Sequence, residues 1–242
     1  MAENSSEMYK RWDMHQRIQH WIVISSFTML SITGIPIKFA YEAWAQSYAR
    51  IFGSFEVLYG IHKIGAAMLM ILAVYHVMYL IIKAVQGKLR WSMFPIIKDF
   101  KDFAQNISYY LGLSKERPLF KKYSYKEKMD YWAVYWGSPI MIFSGLLIWF
   151  PGYAASKTPK WVIDSSHFFH QDEGMLAILF IFSIHFYNVH FSPDFFPMNY
   201  TWLTGKVSKE VMEHEYPLEL DRIEKEGESV ERKIQQKRTL TD

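Results

Sequence analysis

The chain has 242 residues, half of them hydrophobic and 18% aromatic, with a formal net charge of +3. It contains no cysteine, which excludes disulfides and cysteine-held iron–sulfur clusters. Mean hydropathy is close to zero because four apolar runs are averaged with a charged middle loop and tail, so local pattern decides the class.

Residues 1–19 are polar and carry Lys10, Arg11 and Arg17 just before the first apolar run at 21–37. That run is long and no small-residue cleavage site follows it, so it is read as a retained helix over about 20–40 and not as a signal peptide. A connection at 40–57 holds one basic residue, Arg50, before the second run at 58–82, a helix expected over 58–83. The loop at 84–130 carries ten Lys or Arg. The third run, 132–150, predicts a helix over 131–150 with Gly137, Pro139 and Gly145 inside it, and its exit loop has only Lys157 and Lys160. The fourth run, 174–191, predicts a helix over 168–191.

Each run has the length a bilayer demands, about 17 to 25 residues. The expected fold is an all-α membrane protein, a four-helix transmembrane bundle over 20–192 with a tail at 193–242. The amino terminus, middle loop and tail together hold 21 of the 27 Lys and Arg, against three in the other two loops. The positive-inside rule then puts both termini in the cytoplasm. Nothing in the charge pattern calls for nucleic acid, and 224–238 is expected to be a solvated helix or frayed tail.

Two of the apolar helices carry histidines near both ends. His62 and His76 are separated by thirteen residues and His170 and His185 by fourteen, so each pair spans roughly 21 to 23 Å of helix. The second histidine of each pair returns to within about 40 to 60° of the first, on nearly the same face. Two such helices facing each other offer histidine pairs at two depths, an arrangement able to hold two haems stacked across a membrane. Ionisable groups inside a bilayer are costly and usually functional, and His62, His170 and His185 are assigned as haem ligands on that ground. Without cysteine the haem must be b-type. Two axial imidazoles saturate its iron and favour electron transfer over oxygen binding. Gly34, Gly65, Gly145 and Gly174 place one glycine in each helix, where each either admits a porphyrin edge or lets helices pack closely.

Several short motifs, in order, carry a resemblance. They are Arg17-x-x-His20-Trp21, Thr33-Gly34, His62-x-x-Gly65, KYSYKEKMDYW over 122–132, Ser144-Gly145, His170-x-x-x-Gly174 and Gly205-Lys206-Val207-Ser208. Together they resemble the di-haem cytochrome b subunits of respiratory formate dehydrogenases and nickel–iron hydrogenases, related to bacterial cytochrome b561. The resemblance implies an outer haem held by His62 and His170 and an inner haem held by His20 and His185. The spacing in helix four is one residue longer than the usual family separation, which keeps His76 as a competitor for the inner haem. The His62/His76 and His170/His185 pattern also resembles the cytochrome b of quinol–cytochrome c reductases, but His20 is preferred. His190 lies roughly 140° round an α-helix from His185 and is expected outside that haem's pocket. It is left as a quinone-site residue, a ligand to a third haem, or an interface residue. The stretch 190–217 resembles cytochrome b subunits that accompany multihaem cytochromes c.

What the resemblance implies is a multi-pass subunit of the bacterial inner membrane. It would pass electrons between an outer-side redox subunit, an iron–sulfur protein or multihaem cytochrome c, and a menaquinone or ubiquinone. Asn188, His190, Lys83 and Gln86 are suitable polar residues at the inner end. With no Gly-rich nucleotide loop and no cysteine framework, substrate chemistry would belong to another subunit. A stand-alone quinol-oxidising cytochrome b561 remains within the same class. The rival from another class is a membrane di-iron oxygenase, whose histidine boxes His15-x-x-x-x-His20, His167-x-x-His170 and His185-x-x-x-x-His190 superficially match. Such boxes must converge on one side of the membrane, whereas the charge bias puts His167 and His170 opposite the others.

Overall fold

The computed structural model describes residues 7–193 and 195–239, with side chains as far as Glu228. In chain order the elements are β1 (Met8–Lys10), α1 (Met14–Lys38), α2 (Ala43–Ile51), α3 (Phe55–Val85), α4 (Ile97–Tyr110) and α5 (Tyr125–Trp149). There follow α6 (Pro151–Lys157), α7 (Lys160–Phe180), two π-helical stretches at Ile181–His185 and Tyr187–Phe191, α8 (Thr201–Thr204), β2 (Lys206–Ser208), α9 (Lys209–Glu215) and α10 (Pro217–Thr239).

Four helices are long and apolar enough to cross a membrane: Met14–Lys38, Phe55–Val85, Tyr125–Trp149 and Lys160–Phe191. The expected all-α bundle is therefore present, but its helices start three to eight residues earlier than hydropathy suggested. Three of them begin in turns fixed by side-chain caps, while α7 begins after Pro159 without one. Before α1, Asp13 accepts from the Gln16 amide at 3.0 Å while Gln16 Oε1 accepts from the Asp13 amide at 2.9 Å, a reciprocal capping box. Ser124 and Glu127 repeat it before α5: the Ser124 amide donates to Glu127 at 2.8 Å and the Glu127 amide to Ser124 Oγ at 3.4 Å. Before α3, Ser54 Oγ accepts from the Val57 amide at 3.3 Å.

The chain divides into two compact units. The first comprises Trp12–Leu89 and Trp132–Leu203 and holds most of the four spans. Within it, Gly65 of α3 lies against Met29 and Leu30 of α1 so closely that an added Cβ would sit 3.2 Å from both. Lys38 at the end of α1 reaches Asp172 of α7 at 2.7 Å. Ile64, Ile71, Val74 and Ile81 of α3 are exposed, as expected of a helix that meets lipid tails instead of water.

The second unit comprises Met1–Arg11, Arg90–Tyr131 and Thr204–Asp242. β1 and β2 pair antiparallel, Met8 opposite Ser208 and Lys10 opposite Lys206, and Gly205 takes φ 77° to turn the chain into β2. The Arg11 guanidinium is buried 3.7 Å from the Tyr216 ring centroid and 3.5 Å from Glu127, which also accepts from the Tyr216 hydroxyl at 3.2 Å. Phe120, Tyr123, Val207, Met212, Tyr216 and Leu220 form its apolar core. The middle loop and the start of the tail are thus folded against each other, and 224–238 lies within α10.

Candidate functional site

In the membrane unit, His62 of α3 and His170 of α7 face each other with ring centroids 6.3 Å apart and planes at 71°. Two imidazoles bound through one ring nitrogen each to a common iron, at about 2 Å, also have centroids about 6 Å apart. Each ring is held from behind by a hydroxyl. Thr33 Oγ1 donates to the Met29 carbonyl at 2.6 Å and so accepts the Nδ1–H of His62 at 2.9 Å. Ser144 Oγ donates to the Ile140 carbonyl at 2.6 Å and accepts the Nδ1–H of His170 at 3.1 Å. Since each hydroxyl proton is already committed, the network assigns the Nδ1–H tautomer to both rings and leaves both Nε2 lone pairs available. Metal-ligating histidines are typically oriented through such a partner on the other ring nitrogen.

The residue after each hydroxyl is a glycine, and its lack of a side chain seats the ring. A Cβ on Gly145 would meet His170 Cε1 at 2.9 Å, and one on Gly34 would meet His62 Cε1 at 3.4 Å. Gly65 instead serves close packing of α3 on α1, and a Cβ on Gly174 would meet only the end of Met141, at 3.4 Å. Sequence reading named Thr33-Gly34 and Ser144-Gly145 as motifs but gave the hydroxyls no role. The repeated hydroxyl–glycine pair, one in each of two spans, was the signal that could have found it.

Toward the other end of the spans lie His20 of α1 and, beyond α7, His185 and His190, whose rings stand 6.3 and 5.5 Å from that of Phe186. From Ile181 to Phe191 the chain follows π turns, and the Ser192 amide donates five residues back to the Tyr187 carbonyl at 2.8 Å. An i→i+5 turn brings residues five apart onto neighbouring positions of one face.

His20 also has a buried Nδ1 with no hydrogen-bond partner, and its ring lies between Trp12, at 5.2 Å, and Trp202, at 6.0 Å. Arg17 Nε, Gln19 Nε2 and Trp202 Nε1 are likewise buried without partners. Leaving such groups unpaired costs about 1 to 3 kcal/mol each, so a set of them marks a place completed by a group outside the polypeptide. Arg17 and His20 stood together in a motif of the sequence, but Gln19 and Trp202 were not singled out. His76 is differently placed: its Nδ1–H donates to Gln19 Oε1 at 2.7 Å.

Near the start of α1, His15 Nδ1 and the Tyr75 hydroxyl are 2.8 Å apart, and the Tyr79 hydroxyl donates to Asp13 at 2.9 Å. Lys83, expected as a polar group at this end, is 3.1 Å from Asp13. Burial pushes the Asp13 carboxyl up, but the Gln16 amide, the Tyr79 hydroxyl and Lys83 outweigh it and hold the group below its ordinary value. Gln86 caps the C-terminus of α3, and Asn188 lies in the second π stretch.

The spacing of the His62–His170 pair, its fixed tautomers and the unpartnered His20 nitrogen all fit haem b. Among the described residues, no group of three or more His, Cys, Asp or Glu is arranged to hold a metal ion alone, so the three histidine boxes do not converge. No curated protein matches the chain. Residues 11–194 match the model of the family described as prokaryotic cytochrome b561. That range contains the four spans and every histidine described above. The chain accordingly belongs to the prokaryotic cytochrome b561 family, membrane cytochromes b of electron transfer whose cofactor is haem b.

Proposed function

We propose that the protein is the membrane-anchoring cytochrome b of a redox complex, carrying electrons between an outer-side partner and the quinone pool through two b haems at different depths. The His62–His170 pair carries this reading: opposed rings 6.3 Å apart, each with Nδ1 tied to a hydroxyl. When bound, haem supplies one-electron oxidation and reduction at an iron saturated by two imidazoles. The polypeptide sets where that happens. His62 and His170 hold the outer haem, with Thr33 and Ser144 orienting their rings. His20 and His185 hold the inner one, and the buried, unpartnered Nδ1 of His20 favours it over His76, whose Nδ1 is bonded to Gln19.

Oxidising a quinol releases two electrons and two protons, and reducing a quinone takes up the same. His190, beside His185, borders the quinone near the inner haem. The hydrogen-bonded groups at the start of α1, His15 with Tyr75 and Asp13 with Tyr79 and Lys83, move protons between that site and water. The excess of Lys and Arg on the amino terminus, middle loop and tail supports a cytoplasmic position for all three. The outer partner is an iron–sulfur protein or a multihaem cytochrome c in the bacterial inner membrane.

The test is a reduced-minus-oxidised visible spectrum of the purified protein with a haem-to-protein ratio, repeated for His170→Ala. Two low-spin b haems per chain, falling to one in the variant and reducible by a quinol, are expected. An unchanged ratio in His170→Ala sinks the outer assignment. Iron without haem would restore the di-iron reading.

A further inference from the structure

The extramembranous unit contains a cavity of about 470 Å³ lined by five cations, Arg90, Lys121, Lys122, Lys128 and Arg222, and one carboxylate, Glu219. Its charge is not balanced from within. Glu219 is shared between Arg222 at 2.8 Å and Arg90 at 3.5 Å. Lys128 is held by Asp99 at 2.8 Å. Among the described residues no carboxylate forms an ion pair with Lys121 or Lys122, which leaves both as surplus positive charge. Burial, together with Arg11, Arg90 and Arg222, depresses the Lys122 ammonium in spite of Glu219, so an anion placed there would relieve a local repulsion.

A second observation concerns α4, whose amphipathicity is reversed. Asp102 and Asn106 are buried, bonded to Lys98 at 2.6 Å and to the Tyr125 hydroxyl at 2.8 Å. Ile97, Phe100, Phe103 and Ile107 are exposed, Ile97 by 78% and Phe100 by 74%. Their spacing of three to four residues makes one continuous apolar stripe facing outward. The stripe is joined to the cavity by chain continuity, since Trp91, Phe94 and Ile96, which also line the cavity, lead directly into α4.

Both features lie close to the bilayer along the chain. Arg90 follows the end of α3 by five residues, at most about 18 Å of extended chain, and Lys128 belongs to the first turn of the membrane-crossing α5. A small free anion would satisfy the cations and leave the apolar stripe bare. A molecule carrying phosphate at one end and hydrocarbon at the other satisfies both. We propose that the cavity binds the phosphate headgroup of an anionic phospholipid whose acyl chains cover the outward face of α4.

The test uses full-length, haem-loaded protein in mild detergent, titrated with phosphatidylglycerol, phosphatidylcholine or inorganic phosphate and read by native mass spectrometry. One phosphatidylglycerol per chain should persist at concentrations where phosphatidylcholine is lost and equimolar inorganic phosphate does not compete. Lys121→Glu with Lys122→Glu should weaken its retention at least tenfold, and Phe100→Ser should weaken it severalfold, with the haem-to-protein ratio unchanged in both. Lys121→Gln, at an exposed position, gives a milder loss and keeps the test open should the double variant misfold. Equal retention of both lipids, or variants that bind as the parent does, overturns the proposal. So does displacement by inorganic phosphate, which would make this a free-anion site. A dimer abolished by Phe100→Ser would also overturn it, by making the stripe a protein interface.

Discussion

Thr33 and Ser144 occupy matching positions in two different spans: each hydroxyl donates to the carbonyl four residues back and accepts from the Nδ1–H of a histidine across the helix interface. Removing either should loosen a ring without removing a ligand. Thr33→Val and Ser144→Ala should weaken haem retention by about 10 to 100-fold, the usual size of such supporting contacts. Because the lost bond made the imidazole more basic, the outer haem should also become easier to reduce. Potentiometric titration checks this, and a midpoint equal to the parent's would deny the hydroxyls their positioning role.

The two glycines behind the rings should differ. Gly145→Ala brings a Cβ to 2.9 Å from His170 Cε1, a distance side chains do not tolerate, so the ring must move and outer haem occupancy should fall sharply. Gly34→Ala at 3.4 Å from His62 should be milder, and Gly174→Ala, whose neighbour is the flexible end of Met141, should keep its haem. Haem-to-protein ratios of the three variants decide it. Equal losses would show that ring clearance is not what these positions provide.

For the inner haem, His20→Ala and His76→Ala form a deciding pair. His20→Ala should abolish one low-spin signal in electron paramagnetic resonance, while His76→Ala, which removes a hydrogen bond to Gln19, should retain both. The opposite result would transfer the ligand role to His76.

Asp13 combines a helix cap with contacts to Tyr79 and Lys83. Its folded-state pKa lies below the ordinary 3.8, so the stabilisation is present above that value and is lost as pH falls through the folded one. Asp13→Ala should cost about 1 kcal/mol at pH 7 through the lost cap. The gap between parent and variant should narrow below pH 3.8 and close once the pH falls under the lowered folded-state value. Thermal melts by circular dichroism at the two pH values measure it, and a pH-independent gap would contradict the carboxylate's part.

Apolar runs were enough to find the four spans, because bilayer length and hydropathy are properties of one segment at a time. Their starts were misjudged because helical turns such as Met14–Gln19 and Lys160–His167 are too polar to register as apolar runs. Periodicity placed His62 and His170 near the same end of two helices, and the resemblance paired them. The π turns from Ile181 to Phe191 were not legible, since that stretch has no proline or glycine to announce them. The extramembranous unit was equally hidden, its contacts joining residues as far apart as Arg11 and Glu127.

The pairing of Met8 with Ser208 also orders the protein's biogenesis. At roughly 5 to 20 residues per second, β2 leaves the ribosome about 10 to 40 s after β1, and only after all four spans have been made. Until then β1 has no partner strand, Arg11 lacks its Tyr216 ring, and the amino-terminal segment stays unassembled. Closure of the two-stranded ribbon is thus a late event, joining the amino-terminal strand to one made nearly two hundred residues later.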